Sequence, residues 1–484
     1  MNELPSGWAK ACIGDLADLN PKQVFDDETI AGFVPMSHAP TNFRDKLRFD
    51  KRPWGDIKKA YTNFKDGDVI FAKVTPCFEN GKAAFVEGLP NGIGAGSSEF
   101  FVLRPSCDGV SAKYLLALVK SYDFLRNGAE NMTGAVGLRR VPKQFVESYL
   151  VPVPPAAEQT RIAAKLDELL AQVDTLKARI NSIPALLKRF RQSVLAAAVS
   201  GRLTEEWRAE NTGSDITQQI NRILSDRLLS SKSKKSPVNH LSNEEYKIPT
   251  AWRWVSLDSL AARIVDGTHH TPTYIESGIP FISVKDIRDG TIDFTNTKYI
   301  SDEEHAELRK RCQPQKGDLV ITKSGTIGRT AIIKTNKEFS LFVSVALIKP
   351  ASPLVNMQFI NIALRKWIGE IDISSRIVGS AIKNLHLTDM KVLAIPFASL
   401  EEQTEIVRRV DQLLTFTDQL EARIDAVRAN IDCLTESILA RAFCGNLVPQ
   451  DPNDEPASVL LERIKAQRSA TPKAKRARRS ATAG

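Results

Sequence analysis

What most constrains this chain is that it is written twice. Leu4-Pro5-Ser6-Gly7-Trp8 returns as Ile248-Pro249-Thr250-Ala251-Trp252, an offset of 252 − 8 = 244. The offset recurs downstream, where Glu158-Gln159-Thr160 aligns with Glu402-Gln403-Thr404, Ala178-Arg179-Ile180 with Ala422-Arg423-Ile424, and Ser200-Gly201-Arg202-Leu203 with Cys444-Gly445-Asn446-Leu447. From Glu158 to Leu203, 19 of 46 ungapped positions are identical to the second copy. The intervening segments match only at scattered points such as Gly67-Asp68 and Gly317-Asp318. A scaffold retained while its insertions diverge predicts a pseudo-twofold internal repeat: variable, constant, variable, constant.

The constant segments carry an apolar stripe. Leu166, Leu169, Val173, Leu176, Ile180, Ile183, Leu187, Phe190 and Val194 alternate spacings of three and four, the signature of a heptad seam. The second copy repeats it as Val410, Leu413, Thr417, Leu420, Ile424, Val427, Ile431, Leu434 and Ile438, with one polar interruption at Thr417. Two such stripes in one chain are expected to bury each other as an antiparallel coiled coil, a rigid spacer on the order of 40 Å long at about 1.5 Å per residue. Pro184, in the first copy only, is expected to kink or restart its helix, with Ser182 near the new N-terminus. Ile162, Leu170 and Leu186, with Ile406 and Leu414 in the second copy, lie beyond the seam and are expected to form docking faces for partners.

The variable segments read as α/β (α+β) domains. Asp68-Val69-Ile70-Phe71-Ala72 and Asp318-Leu319-Val320-Ile321-Thr322 are short strands, each entered by a Gly-Asp turn and left at a lysine, Lys73 or Lys323. The expected organisation is a domain over 1–156, a helical spacer over 157–224 and a Ser/Lys-rich linker over 225–247. A second domain over 248–398, a second spacer over 399–466 and a basic flexible tail over 467–484 complete it. Net charge is +9, of which six cations and no acid fall after Gln467, leaving 9 − 6 = +3 for the rest. A polyanion would therefore have to be recognised by arranged contacts and not by bulk charge.

Several function classes find no support in the residues. The 484-residue chain has no apolar run approaching a membrane span, and MNELPSGWAK lacks the basic and apolar regions of a secretion signal, so a cytoplasmic protein is expected. Its six cysteines form no CxxC pair. Gly81-Lys82 is followed by two alanines and forms no P-loop; Asn20-Pro21-Lys22-Gln23 departs at two of four positions from an amino-methyltransferase loop. No catalytic residue and no metal site are expected. What the variable segments do have is donors on loops: Arg44, Lys46, Arg48, Lys51, Arg52, Lys58 and Lys59, interleaved with Phe43, Phe49, Trp54 and Tyr61, then Lys73. The second segment offers His269 and His270, Lys285 and Arg288, and the connection containing Lys323, Ser324, Thr326 and Arg329. Such residues suit phosphate and base-edge contacts.

Taken together, the Pro5-x-Gly7-Trp8 opening, the Gly-Asp-x-x-x-x-Lys strand of each variable half, the passage from Pro154 to Glu158-Gln159, and the helices LLAQVDTLKARI and SILARAFCGNL resemble the specificity subunit of type I restriction-modification enzymes over essentially the whole chain. The resemblance implies two target-recognition domains, each reading one half of an asymmetric bipartite DNA site, held by paired helices that dock two methyltransferase subunits. It also implies that restriction subunits join these, and that S-adenosylmethionine, ATP and Mg reside on the partners with no cofactor on this chain. The competing expectation is a stand-alone coiled-coil DNA-binding regulator that needs no enzyme partner.

Overall fold

The computed structural model describes residues 4–135, 137–211, 215–230, 236–240, 247–288, 290–370 and 385–470. Four helices organise them: α1 (Ala156–Val199), α2 (Ile216–Ser230), α3 (Leu400–Phe443) and α4 (Ala457–Ala470). The chain forms two compact units, one of residues 1–181 with 424–484 and the other of residues 182–423. Each unit therefore holds one of the two α/β domains with part of α1 and part of α3.

In the first unit, an antiparallel sheet runs in the order β1 (Ala17–Leu19), β4 (Phe100–Pro105), β2 (Val69–Ala72), β3 (Ala83–Phe85). The sequence of β2 is apolar throughout because both its faces are covered: Val69 and Phe71 pack with Leu115, Leu116 and Phe124 of the helices behind, Ile70 with Phe64, Val86 and Phe100 in front. A second sheet orders Asp50–Pro53, Ile30–Val34, Ile93–Gly96 and Thr62–Lys65. The first and last strands of the domain, Ala9–Cys12 and Leu150–Val153, pair antiparallel and bring the chain to the start of α1.

The second unit repeats the main sheet with the same order: Ala261–Asp266, Val345–Pro350, Leu319–Thr322, Thr330–Ile332. Leu319 and Ile321 face one core cluster and Val320 another. Its companion sheet has three strands, Lys298–Ile300, Ile279–Ile282 and Ser340–Leu341, where the first unit has four. Arg253–Ser256 and Ala394–Phe397 close the domain as their counterparts do.

Helix pairing is antiparallel within each unit. In the first, Ile162, Leu166, Leu170 and Val173 of α1 share a core with Ile431, Ile438, Leu439 and Ala442 of α3, and Lys177 meets Asp432 at 2.8 Å. In the second, Val194, Leu195 and Ala198 join Ile406, Val407 and Val410, while Arg191 reaches Glu421 at 2.5 Å and Asp418 at 2.6 Å.

Several expectations need correction. Leu176, Phe190, Val427 and Leu434 belong to the expected seam but are exposed, Leu176 by 43%. Ile162, Leu170 and Ile406, expected to face partners, are buried, and Leu414 packs against the core. The reason is that the first half of α1 packs on Trp8, Tyr114 and Ala117 of its own domain as well as on α3, so its apolar face is wider than a seam and turned toward the domain. Leu186 stays exposed, and Thr417 is buried with its hydroxyl donating to the Leu414 carbonyl at 2.6 Å. Pro184 does not restart the helix, since α1 runs unbroken through it. Residues 225–230, expected in the linker, are helical as the end of α2, and 467–470, expected in the tail, are the end of α4, which includes Arg468. Lys232, Lys234 and Lys235, like Lys473, Lys475, Arg476, Arg478 and Arg479, lie outside the described residues.

Candidate nucleic-acid interface

The Gly-Asp turn that enters each central strand is an anchor. Gly67 takes φ +91°, a left-handed conformation that only glycine adopts without strain, and so does Gly317 at +93°. The buried Asp68 carboxylate accepts the Lys65 amide at 2.8 Å and Nε and Nη2 of Arg104 at 2.8 and 2.7 Å. Asp318 repeats this with the Gln315 amide at 2.8 Å and Lys349 at 2.5 Å. Burial still raises the Asp318 carboxyl above its ordinary value, against the pull of Lys349.

The two lysines that leave these strands differ. Lys73 is half-buried and donates to the Ser98 carbonyl at 2.8 Å. Lys323, expected as a DNA contact, is 6% exposed and pairs with Asp266 at 2.7 Å, so its ammonium is turned into the domain and not toward a ligand. Arg311 approaches the other Asp266 oxygen at 2.6 Å and His269 does so at 3.3 Å. Burial pushes the Asp266 carboxyl up, but hydrogen bonds from Lys323 and Arg311 outweigh it and hold the group below its ordinary value. The arrangement has a buried acid beneath and cationic or polar tips above, with Arg311, His269 and His270 all largely exposed. Gly267 makes it possible: a Cβ there would lie 1.9 Å from the Leu341 carbonyl oxygen.

The remaining second-domain candidates sit on one connected surface. Lys285 and Arg288 are exposed, Arg288 within 3.4 Å of Asp293. Thr322 closes the Lys323–Arg329 connection by donating to the Thr326 carbonyl at 2.5 Å and accepting from the Arg329 amide at 3.0 Å. That leaves Thr326 exposed and Ser324 half-buried, while Arg329 reaches the Ile287 carbonyl at 3.4 Å.

In the first domain Lys51 and Arg52 lie on an exposed edge strand, with Arg44, Lys46 and Arg48 before it and Lys58 and Lys59 after it. Lys51 and Lys59 make no ion pair or side-chain hydrogen bond among the described residues. Arg52 lies over Phe33 at 4.2 Å, Lys58 pairs with Asp27, Lys46 is 3.4 Å from Glu87, Arg44 is 3.5 Å from Asp174, and Arg48 reaches the Ser37 carbonyl at 3.4 Å. The interleaved aromatics do a different job from base stacking: Trp54 is fully buried, and Phe43, Phe49 and Tyr61 pack against the cores. They fix the loop whose cations face outward.

Two features escaped the sequence reading. Buried Lys120 donates to the carbonyls of Thr41 at 2.7 Å and Gly81 at 2.8 Å, tying the basic loop to the connection after β2; burial lowers its pKa to about 7. The other is an exposed ribbon, Thr133–Arg140, that hangs from Lys73. Each domain is also clasped by a helix. Arg227 of α2 donates to the Asp258 carbonyl at 2.9 Å, and Arg468 of α4 donates to the Gly14 carbonyl at 2.6 Å, the position 258 − 244 = 14. Arg468 is thus held, through Ser106 at 2.7 Å as well, and is not a tail cation. Among the described residues no group of three His, Cys, Asp or Glu is placed to hold a metal ion, and no helix is long and apolar enough to cross a membrane.

Two copies of one α/β domain with unlike loop surfaces, each joined to an antiparallel helix pair, define a tandem recognition protein. The chain belongs to the type I restriction modification DNA specificity domain family, whose model matches residues 5–185 and 273–427. It is 36% identical to the EcoBI specificity subunit of Escherichia coli over 70% of this chain and 69% of that one. It is 26% identical to the EcoKI specificity subunit of Escherichia coli strain K12 over 97% of both. The fold matches the HsdS subunit from Thermoanaerobacter tengcongensis with a TM-score of 0.61 at 21% identity, covering 92% of this chain and 98% of that one.

Proposed function

We propose that this chain is the sequence-reading subunit of a type I restriction-modification complex acting on cytoplasmic DNA. Each domain contacts one half of an asymmetric bipartite duplex site. The observation that carries this reading is a common frame with unlike outward surfaces. The frame comprises the Gly-Asp anchor, the same main-sheet order and the clasping arginine. The surfaces are the cations on and beside an edge strand in one domain and a His269–Arg311 cluster over a buried acid in the other.

In the same reading α1 and α3 carry two methyltransferase subunits, and restriction subunits join through them. Exposed Leu176, Leu186, Phe190, Phe416, Val427 and Leu434 support this, because apolar side chains spaced along two helices are covered most readily by a protein partner. They also weigh against a stand-alone regulator. Chemistry would then come from the partners, with S-adenosylmethionine for methylation and ATP with Mg for restriction, while this chain supplies specificity.

The test is domain exchange. Replacing 248–398 with the corresponding segment of a relative should change one half of the methylated motif in a single-molecule methylome. A change in both halves, or in neither, would sink the modular reading.

A further inference from the structure

Thr133–Ala135 and Leu138–Arg140 form a two-stranded antiparallel ribbon that joins no other sheet, with Gly134 opposite Arg139 and Ala135 opposite Leu138. Its described residues from Thr133 to Arg139 are all exposed, Leu138 by 53%. A lone two-stranded ribbon is marginal in water, and the contacts that secure this one among the described residues are at its base. There Arg140 donates from Nε and Nη2 to the two Glu99 oxygens at 2.9 and 2.8 Å, the Thr75 amide donates to the Arg139 carbonyl at 3.0 Å, and the Val141 amide donates to the Lys73 carbonyl at 2.8 Å. Gly134 takes φ +121°, and a Cβ there would lie 2.8 Å from the Leu138 carbonyl oxygen, so the ribbon is kept narrow. Outward it presents Ala135, Leu138 and Arg139, whose guanidinium has no ion pair or hydrogen bond among the described residues. Glu99, at its base, is paired with Arg140 at 2.8 Å, so its charge is balanced there.

We infer that this ribbon is a DNA-reading finger of the first recognition domain. It enters the major groove, whose width of about 12 Å admits a two-stranded ribbon. Arg139 donates to a guanine edge and Leu138 packs on a neighbouring apolar base surface such as a thymine methyl. An anchored base with small residues along one strand suits insertion, and Arg139, without an ion pair among the described residues, gives the contact its direction. The second domain supports the placement: the Leu385 amide donates to the Lys323 carbonyl at 2.7 Å, as Val141 does to Lys73. The inference rests on the proposed DNA-recognition function and adds the residues that do the reading.

The experiment uses the full chain assembled with its modification subunits, as wild type, Arg139→Ala, Arg139→Lys and Leu138→Ala. Binding to cognate and scrambled duplexes is measured across salt concentrations, with motif mapping by methylome. Arg139→Ala should weaken cognate binding roughly 5- to 150-fold, the span of one bidentate base contact. Binding to scrambled duplex should change less than about twofold, and one position in one half of the motif should relax. Arg139→Lys should not restore the lost base, because a point charge does not replace the fork. Equal losses on both duplexes with a salt slope smaller by about 0.9 would reduce Arg139 to a phosphate contact and overturn the inference. Unchanged affinity and motif in both alanine variants would overturn it too. Wild-type assemblies that prefer no sequence at all would instead bring down the functional reading, and this inference with it.

Discussion

Trp8 donates its indole N–H to Glu158 at 3.0 Å, across 150 residues, and Trp252 donates to Glu402 at 2.8 Å across the same separation. Each pair pins the opening of a recognition domain to the first turn of the helix that follows it. The next residue completes the joint: Gln159 accepts the Ser111 amide at 2.9 Å, and Gln403 accepts the Asn356 amide at 2.9 Å. The two joints differ in one respect. Glu402 also accepts Thr204 at 2.8 Å and Arg208 at 2.6 Å, whereas the second oxygen of Glu158 has no hydrogen-bond partner among the described residues.

That asymmetry predicts unequal costs. Burial raises the Glu158 carboxyl, so Glu158→Gln should change stability by less than about 1 kcal/mol near pH 7. Glu402→Gln leaves Arg208 without its carboxylate and should cost about 3 kcal/mol. Denaturant unfolding of the two variants checks the order, and equal costs would contradict it.

Asp266→Asn should be similarly expensive, about 3 kcal/mol, because it strands the buried Lys323 ammonium. Adding Lys323→Met to it should recover much of the loss. A double variant no better than the single one would show that the pair is not what the carboxylate supports. The measurement is again denaturant unfolding.

Lys120 gives a pH signature. Its folded pKa is lowered to about 7 by burial against an ordinary 10.5, so between those values the unfolded chain holds the extra proton and this group's contribution to stability rises with pH. The melting-temperature difference between wild type and Lys120→Met should therefore move in favour of wild type from pH 7 to pH 9. A pH-independent difference would mean that the ammonium persists in the folded domain.

The clasp predicts a split between stability and salt response. Arg468→Ala removes hydrogen bonds to the Gly14 carbonyl and Ser106, and should destabilise the first unit by about 1–2 kcal/mol with the DNA motif unchanged. If the five cations after Ala470 contribute partial phosphate contacts, deleting 471–484 should leave melting unaltered but reduce the salt slope of DNA binding by about one to two. A changed motif after the deletion would show that the tail reads bases.

What the sequence disclosed was whatever depends on neighbours in the chain. The repeat, the β2 strand and its counterpart, the Gly-Asp turns and the long helices are patterns of composition and spacing within some tens of residues. Lys323 escaped because its partner Asp266 lies 57 residues away and nothing local marks the pairing. Lys120 escaped for the same reason, at 79 residues from Thr41. The seam was misplaced because a heptad pattern reports that a side chain is apolar but not which of two surfaces will cover it; Leu170 is covered and Leu176 is not. The ribbon at Thr133–Arg140 was passed over because short, exposed Gly/Ala strands carry almost no hydrophobic signal, and only Arg139-Arg140 following Gly137-Leu138 hinted at it.

The first unit draws on residues 1–181 and 424–484, while the second is the continuous stretch 182–423. Gly445 packs its backbone on Pro5, and the Ala457 amide donates to the Gly7 carbonyl at 2.8 Å. A ribosome therefore delivers everything the second unit needs while the first still lacks Ile431, Ile438 and Leu460 from its cores. The domain synthesised first is the one completed last, its core faces uncovered until translation reaches α4, the kind of exposed apolar surface on which nascent chains aggregate.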